Sequence, residues 1–167
     1  ADMYGAVLVP PETPDGDVGV LFLHNEGYST MCGHGIIALV TATLEHGLFN
    51  VPDPAKIRID TPAGRITARA NLDSVGRVES VSFVNVPSFV LEPKLTVEVD
   101  SKAVDCTIAF GGAFYAYVDA EPFGFELVAS EAADVIRLGQ SIREAVSASC
   151  DIVHPGGEDD LDFLYGT

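Results

Sequence analysis

Residues 35–46 read Gly-Ile-Ile-Ala-Leu-Val-Thr-Ala-Thr-Leu-Glu-His, and this stretch decides the architecture. It is apolar almost all round, and Gly47 follows it as the residue type that closes a helix in the left-handed conformation. A helix without a polar face is expected to be covered on every side. The rest of the chain supplies the cover, because it is built largely of strands. Residues 3–9 and 19–24 are apolar runs separated by Pro-Pro-Glu-Thr-Pro-Asp-Gly-Asp, which is turn chemistry. Residues 56–61 (KIRIDT) and 65–72 (RITARANL) alternate in period two around Pro62-Ala63-Gly64, the pattern of a tight hairpin. The alternation continues over 78–86 and is expected to stop at Pro87, then resumes over 95–99. Residues 104–118 form a long β-rich run whose central Gly111-Gly112 suggests a bulge or a close backbone approach. The expected fold is α+β, a curled, mostly antiparallel sheet wrapped around a central buried helix. A second helix is expected over 130–149, where Val135, Leu138, Ile142 and Val146 fall at three-four spacing. Ser130 is its expected N-cap, with Glu131 in the first turn, and the helix should lie on the surface of the sheet.

At 167 residues the chain can bury one real core, and its 47% apolar and 20% charged content is that of a folded protein. The net charge of −16 argues against binding nucleic acid or an anionic membrane surface. Only three lysines occur, and Asp outnumbers Glu by 14 to 11, a balance that also suits a high-salt organism. An ordinary acidic enzyme is the simpler account. No apolar run has membrane-spanning length, and the opening residues lack the basic region of a signal peptide. Three widely spaced cysteines, Cys32, Cys106 and Cys150, do not make a disulfide framework, so a reducing cytoplasm is expected. Both ends are apolar and strand-like, and residues 1–167 are expected to be a single lobe cut from a longer protein.

The chemistry is expected where the buried helix begins, at Ser29-Thr30-Met31-Cys32-Gly33-His34-Gly35. Ser29 or Thr30 can cap the helix, which puts Cys32 at or near its first turn. The amides there have no intrahelical partner, and the positive end of the helix dipole favours a thiolate. Gly33 and Gly35 allow a ligand to approach the backbone, and free amides suit a carboxylate. Other readings of the same residues remain open. Cys32 as a small buried packing residue is the ordinary one. A metal site of His24, Cys32 and His34 lacks the paired spacing of zinc ligands, and a redox sensor would lack a neighbouring resolving cysteine.

Several motifs occur in order: DMYGA (2–6), HNEGYSTMCGHG (24–35), DTPAG (60–64), NVPSF (85–89), IAFGGAFYA (108–116), VHP (153–155) and FLYGT (163–167). Together they resemble the proline racemase family over nearly the whole chain. The resemblance implies a cofactor-independent enzyme acting at the α-carbon of proline or a hydroxyproline, with no metal. It implies two lobes, each a β-rich shell around a central helix as in diaminopimelate epimerase, with the substrate between them. Racemases and epimerases of the family use two cysteines. The trans-3-hydroxy-L-proline dehydratase branch has Thr or Ser at the second position.

Carried onto this sequence, Cys32 matches the first catalytic cysteine. The amides of Gly33 and His34 match the carboxylate cradle, the His34 side chain lies near the substrate ring nitrogen, and Tyr4 matches an aromatic wall of the pocket. A half-buried strand tyrosine is the plain alternative for Tyr4. The family's opening segment and second lobe, with the second catalytic position, have no counterpart in these residues. The wording HNEGYSTMCGH and the ending FLYGT lean toward the dehydratase branch. The expected reaction is therefore dehydration of trans-3-hydroxy-L-proline to a pyrroline-2-carboxylate. Proline racemase or 4-hydroxyproline epimerase is the alternative, and a non-catalytic carboxylate-binding lobe is an alternative of another class. Neither enzymatic route needs a cofactor, and motifs for nicotinamide or nucleotide phosphates are absent from the sequence. The expected partners are the small substrate and, through an exposed apolar face, a second copy of the chain.

Overall fold

The computed structural model describes residues 3–25, 27–157 and 159–167; Asp2 and Glu26, which fall within two of the motifs above, lie outside the described residues. The chain divides into two compact units, Ala1–Pro87 and Ser88–Thr167.

The first unit holds β1 (Tyr4–Val9), β2 (Val18–His24), β3 (Gly27–Ser29), α1 (Gly33–His46), β4 (Ile57–Thr61), β5 (Gly64–Leu72) and β6 (Val78–Val84). Its sheet runs β1-β2-β4-β5-β6, with β3 also paired to β2. Every pairing is antiparallel except β2 with β4, where Val18 lies opposite Ile59. Parallel neighbours cannot be joined by a hairpin, and α1 sits in the crossover between them. The expected tight hairpin is present: Thr61 lies opposite Gly64 across Pro62-Ala63, and Gly64 takes φ 121°. Period-two alternation buries Ile57, Ile59, Ile66 and Ala68 completely. Helix α1 packs on β1, β5 and β6 and buries Ile36, Leu39, Val40 and Thr43. Each such Ile or Val stabilises by about 1.5–3 kcal/mol, so this apolar stripe is what fixes the helix to the sheet. The helix ends as expected at Gly47, with φ 69° and its N–H on the Thr43 carbonyl.

Coverage of α1 differs from expectation. Ile37 is 42% exposed, and Ala38 and Glu45 also face solvent. The run of apolar residues records a helix fit to be covered all round, whereas the sheet of this unit covers one side of it.

The second unit holds β7 (Phe89–Val99), β8 (Lys102–Phe110), β9 (Phe114–Tyr117), α2 (Ala132–Ser149) and β10 (Leu164–Gly166), with sheet order β10-β9-β8-β7. The strands therefore form two sheets instead of one. Strands β7 to β9 pair antiparallel, and β10 joins β9 in parallel. The Gly111-Gly112 pair is a turn and not a bulge: Phe110 lies opposite Phe114, and Gly112 takes φ 110° to reverse the chain. Strand β7 starts at Phe89, earlier than alternation alone indicates, because its register slips between Val90 and Leu95 around Pro93 and breaks the period. Helix α2 lies on β7, β9 and β10 through Ile142 and Val146, as its spacing predicts. Ser130 does not cap it. Residues 129–131 form a tighter 3-10 turn, α2 begins at Ala132, and the Glu131 carboxylate instead accepts the Glu126 amide at 3.0 Å. Among the described residues, no helix is long and apolar enough to cross a membrane.

Candidate active site

Cys32 is itself the N-cap of α1. It has extended φ/ψ of −142°/106°, its carbonyl accepts the Ile36 amide at 2.9 Å, and its sulfur accepts the Gly35 amide at 3.3 Å. The expected caps do something else. The Ser29 hydroxyl donates to the Met31 carbonyl at 2.9 Å and so shapes the approach to the helix rather than its first turn. The motif misleads because Ser and Thr are the usual capping residues, and here a cysteine occupies the capping geometry two residues on. The amides of Gly33 and His34 precede the first intrahelical hydrogen bond, at the positive end of the helix.

Cys32 is 7% exposed. His34 brings both ring nitrogens within 3.5 Å of the sulfur. The Tyr4 ring lies 5.5 Å from that of His34 and stacks on His24 at 6.1 Å with a 19° tilt. The strand register explains the stacking, because Tyr4 pairs directly with His24 between β1 and β2. Tyr4, Ala6, Leu8 and Phe22, on one face of these strands, line a largely apolar concavity of ≈ 460 Å³ together with His34 and Gly35 of α1. The structure thus brings Tyr4, Cys32 and His34 into one place. His34 and Gly35, the helical neighbours of Cys32, line the concavity, whereas Cys32 and Gly33 themselves do not.

The two glycines serve packing at least as much as access. A Cβ on Gly35 would meet the Phe22 ring at 2.6 Å and the Cys32 sulfur at 3.1 Å. A Cβ on Gly33 would meet Phe83 at 3.1 Å. Glycine at 35 lets the start of α1 sit directly against β2 and leaves room for the sulfur over the first turn. Among the described residues, no group of three or more His, Cys, Asp and Glu side chains could hold a metal ion, and His24 is engaged with Tyr4.

Sequence reasoning missed what supports this corner. Asp60, 8% exposed, accepts from the Thr13 amide at 3.0 Å, the Thr13 hydroxyl at 2.9 Å and Arg65 Nε at 2.6 Å. Burial alone would raise the Asp60 carboxyl; the hydrogen bonds from Thr13 and Arg65 outweigh it and hold it below the usual carboxylate value. Asp17 behaves likewise: burial pushes it up, and the side chain and amide of Arg58 more than reverse that. Asp60 and Arg65 stand opposite each other across the β4–β5 hairpin, five residues apart, but Thr13, Asp15 and Asp17 join Asp60, Arg65 and Arg58 from more than 40 residues away.

A family model described as proline racemase matches residues 1–165. A protein of Homo sapiens named trans-3-hydroxy-L-proline dehydratase is 46% identical over 171 residues, covering 99% of this chain and 48% of that protein. One of the same name from Bacillus cereus is 44% identical over 165 residues, covering 98% and 49%. The chain spans about half the length of these relatives. Among solved structures, a hydroxyproline epimerase from Agrobacterium vitis with bound trans-4-hydroxy-L-proline superposes with TM-score 0.84 at 26% identity, over 97% of this chain and 46% of that one. A probable proline racemase from Agrobacterium radiobacter K84 with bound carbonate gives 0.83 at 27% identity, over 97% and 47%. The mixed α+β fold of strands with few helices, the ordered motifs and the near-complete match agree, and the chain belongs to the proline racemase family.

Proposed function

We propose that this chain is the first lobe of a two-lobed, cofactor-independent enzyme of diaminopimelate epimerase-like architecture, and that it dehydrates trans-3-hydroxy-L-proline. The observation that carries the reading is the position of Cys32: a sulfur at the tip of α1, accepting a backbone N–H, with His34 against it and Tyr4 against His34. The branch is favoured by identity, since the relatives at 44–46% are named dehydratases while the racemase and epimerase structures stand at 26–27%.

In this reading the substrate carboxylate docks on the amides of Gly33 and His34, where the helix end also stabilises negative charge spreading onto it. Cys32 as thiolate takes the α-proton. The C3–O bond then breaks, the hydroxyl leaves as water with a proton, and a C2=C3 double bond forms. Proton transfer from nitrogen to C3 turns this enamine into the cyclic imine, Δ1-pyrroline-2-carboxylate. The His34 ring sits near the substrate nitrogen, and Tyr4 walls the pocket. The carbanion-like transition state calls for exclusion of water, which closure of a second lobe over α1 would supply. The exposed apolar side of α1 is consistent with such a cover. The setting is cytoplasmic, with the proline-ring acid as partner and a second copy of the chain as the expected oligomeric one.

The test uses the protein made from its complete reading frame. With trans-3-hydroxy-L-proline it should form the imine, trapped with o-aminobenzaldehyde, and Cys32→Ser should abolish this. Rapid loss of optical rotation from L-proline would instead establish the racemase alternative. Binding of pyrrole-2-carboxylate with no turnover of any proline would establish the non-catalytic one.

A further inference from the structure

The loop between β1 and β2 folds back onto the β4–β5 hairpin through a cluster of opposite charges. Asp60 holds Thr13 and Arg65 as described, and Arg65 Nη2 reaches both the Thr13 hydroxyl and Asp15. Asp17 accepts the Arg58 amide at 2.7 Å and its guanidinium at 3.1 and 3.3 Å. The fit is close: a Cβ on Gly16 would stand 2.8 Å from Asp60 Oδ2. Directly after Asp60, the Thr61 hydroxyl donates to the Gly64 carbonyl at 2.8 Å and closes the turn. At the tip of that turn the Ala63 amide donates to the carbonyl of Thr30 at 3.2 Å, two residues before Cys32. Thr30 and Ser29 are both buried.

An ion pair withdrawn from water adds little net stability, because desolvation offsets most of the attraction. What a charge-assisted pair does supply, when Thr13 fills the other carboxylate oxygen as it does on Asp60, is a fixed geometry. The segment that needs one is 29–32, which has to deliver a sulfur to the capping position, and reactive groups work only when held to within about 0.5 Å. We propose that Asp60, through Arg65 and the Pro62-Ala63 turn, is a positioning residue that holds the Thr30–Cys32 segment and so keeps the sulfur on the Gly35 amide. The role in turnover rests on the dehydratase reading, but the geometric effect does not.

The experiment compares Asp60→Asn and Arg65→Lys with the native protein, made from the complete reading frame. Amide hydrogen exchange is followed over residues 29–36, with the β5–β6 pairing and α2 as internal references. Positioning predicts that exchange over 29–36 rises by about tenfold or more while α2 keeps its native protection. It also predicts that kcat falls by about tenfold with KM little changed, since a displaced reacting group costs rate more than binding. Unchanged exchange over 29–36 in either folded variant overturns the proposal. So does exchange that rises equally everywhere, or failure of both variants to fold, because each assigns the cluster to global stability. Faster exchange over 29–36 in a protein whose native form turns over no proline-ring acid keeps the positioning and sinks only the dehydratase reading.

Discussion

Two buried thiols in the molecule have almost the same exposure, 7% for Cys32 and 4% for Cys106, and opposite surroundings. Cys32 caps a helix, and its sulfur accepts a backbone N–H. Cys106 lies within β8, and its sulfur donates to the Leu95 carbonyl at 3.4 Å. Burial, then the nearby Asp105, push the Cys106 thiol up, so it stays protonated. Cys150, after α2, is pushed up by burial and then by Glu92 and Asp151. Degree of burial therefore does not separate the two sulfurs. The direction of the hydrogen bond does, and secondary structure sets that direction: a helix start presents donors, while Cys106 on its strand meets a carbonyl.

The strongest way to break this contrast is substitution of each sulfur in the protein from the complete reading frame. Cys32→Ser is expected to lower turnover of trans-3-hydroxy-L-proline by about 10³-fold or more, the scale of losing a general base. Cys106→Ser should leave kcat within about twofold, since serine can keep the hydrogen bond the sulfur makes to the Leu95 carbonyl. Equal losses in the two variants would end the distinction.

Next in size is a stability effect confined to the second unit. Ile142→Ala removes a buried anchor of α2 and is expected to cost about 2–5 kcal/mol in denaturant unfolding. Alkylation of Cys32 in the folded protein should proceed at its native rate. A change there would mean that the thiol depends on packing in the second unit.

Gly35→Ala sharpens the comparison from the other side. The added methyl meets Phe22 and the sulfur together, so it is expected to destabilise by about 1–3 kcal/mol, as overpacking does, and to change the rate of Cys32 alkylation as well. Gly124→Ala, where open space surrounds the position, tests backbone strain alone, since Gly124 has φ 75° without a neighbour to strike.

The smallest effect is on pH dependence, and it has opposite signs for the two groups. Asp17 and Asp60 are depressed in the folded state, so their contribution is present above the unfolded value of about 3.9 and is lost as pH falls through the folded values. Cys106 and Cys150 are raised, so their contribution is present below about pH 8.5 and is lost as pH rises through the folded values. Urea midpoints across the pH range should fall at both ends. Asp60→Asn should flatten the acid limb, and Cys106→Ala the alkaline one.

Much of this was legible in the sequence, for reasons that differ between elements. The hairpin around Pro62-Ala63-Gly64 and the face of α2 through Ile142 and Val146 follow from local periodicity, and both are present. The motif around Cys32 located the start of a helix, and the structure places His34 against that cysteine and Tyr4 against His34. What was not legible depends on distant partners or on a choice between neighbours. Ser29, Thr30 and Cys32 all stand within reach of the helix start, and only three-dimensional geometry selects the cysteine as cap. Gly111-Gly112 permits a bulge or a turn equally, and the pairing of Phe110 with Phe114 makes it a turn. The Asp60 cluster joins residues 47 positions apart and leaves no periodic trace.

The capping role of Cys32 has an evolutionary corollary. Serine lies one nucleotide change from cysteine and is among the best residues at a helix start, where it is worth about 1 kcal/mol over alanine. The position therefore stands one mutational step from an ordinary capping residue that carries no thiol. That step would keep a cap at the start of α1 and remove the acidic S–H, so the two roles open to this side chain can be lost separately.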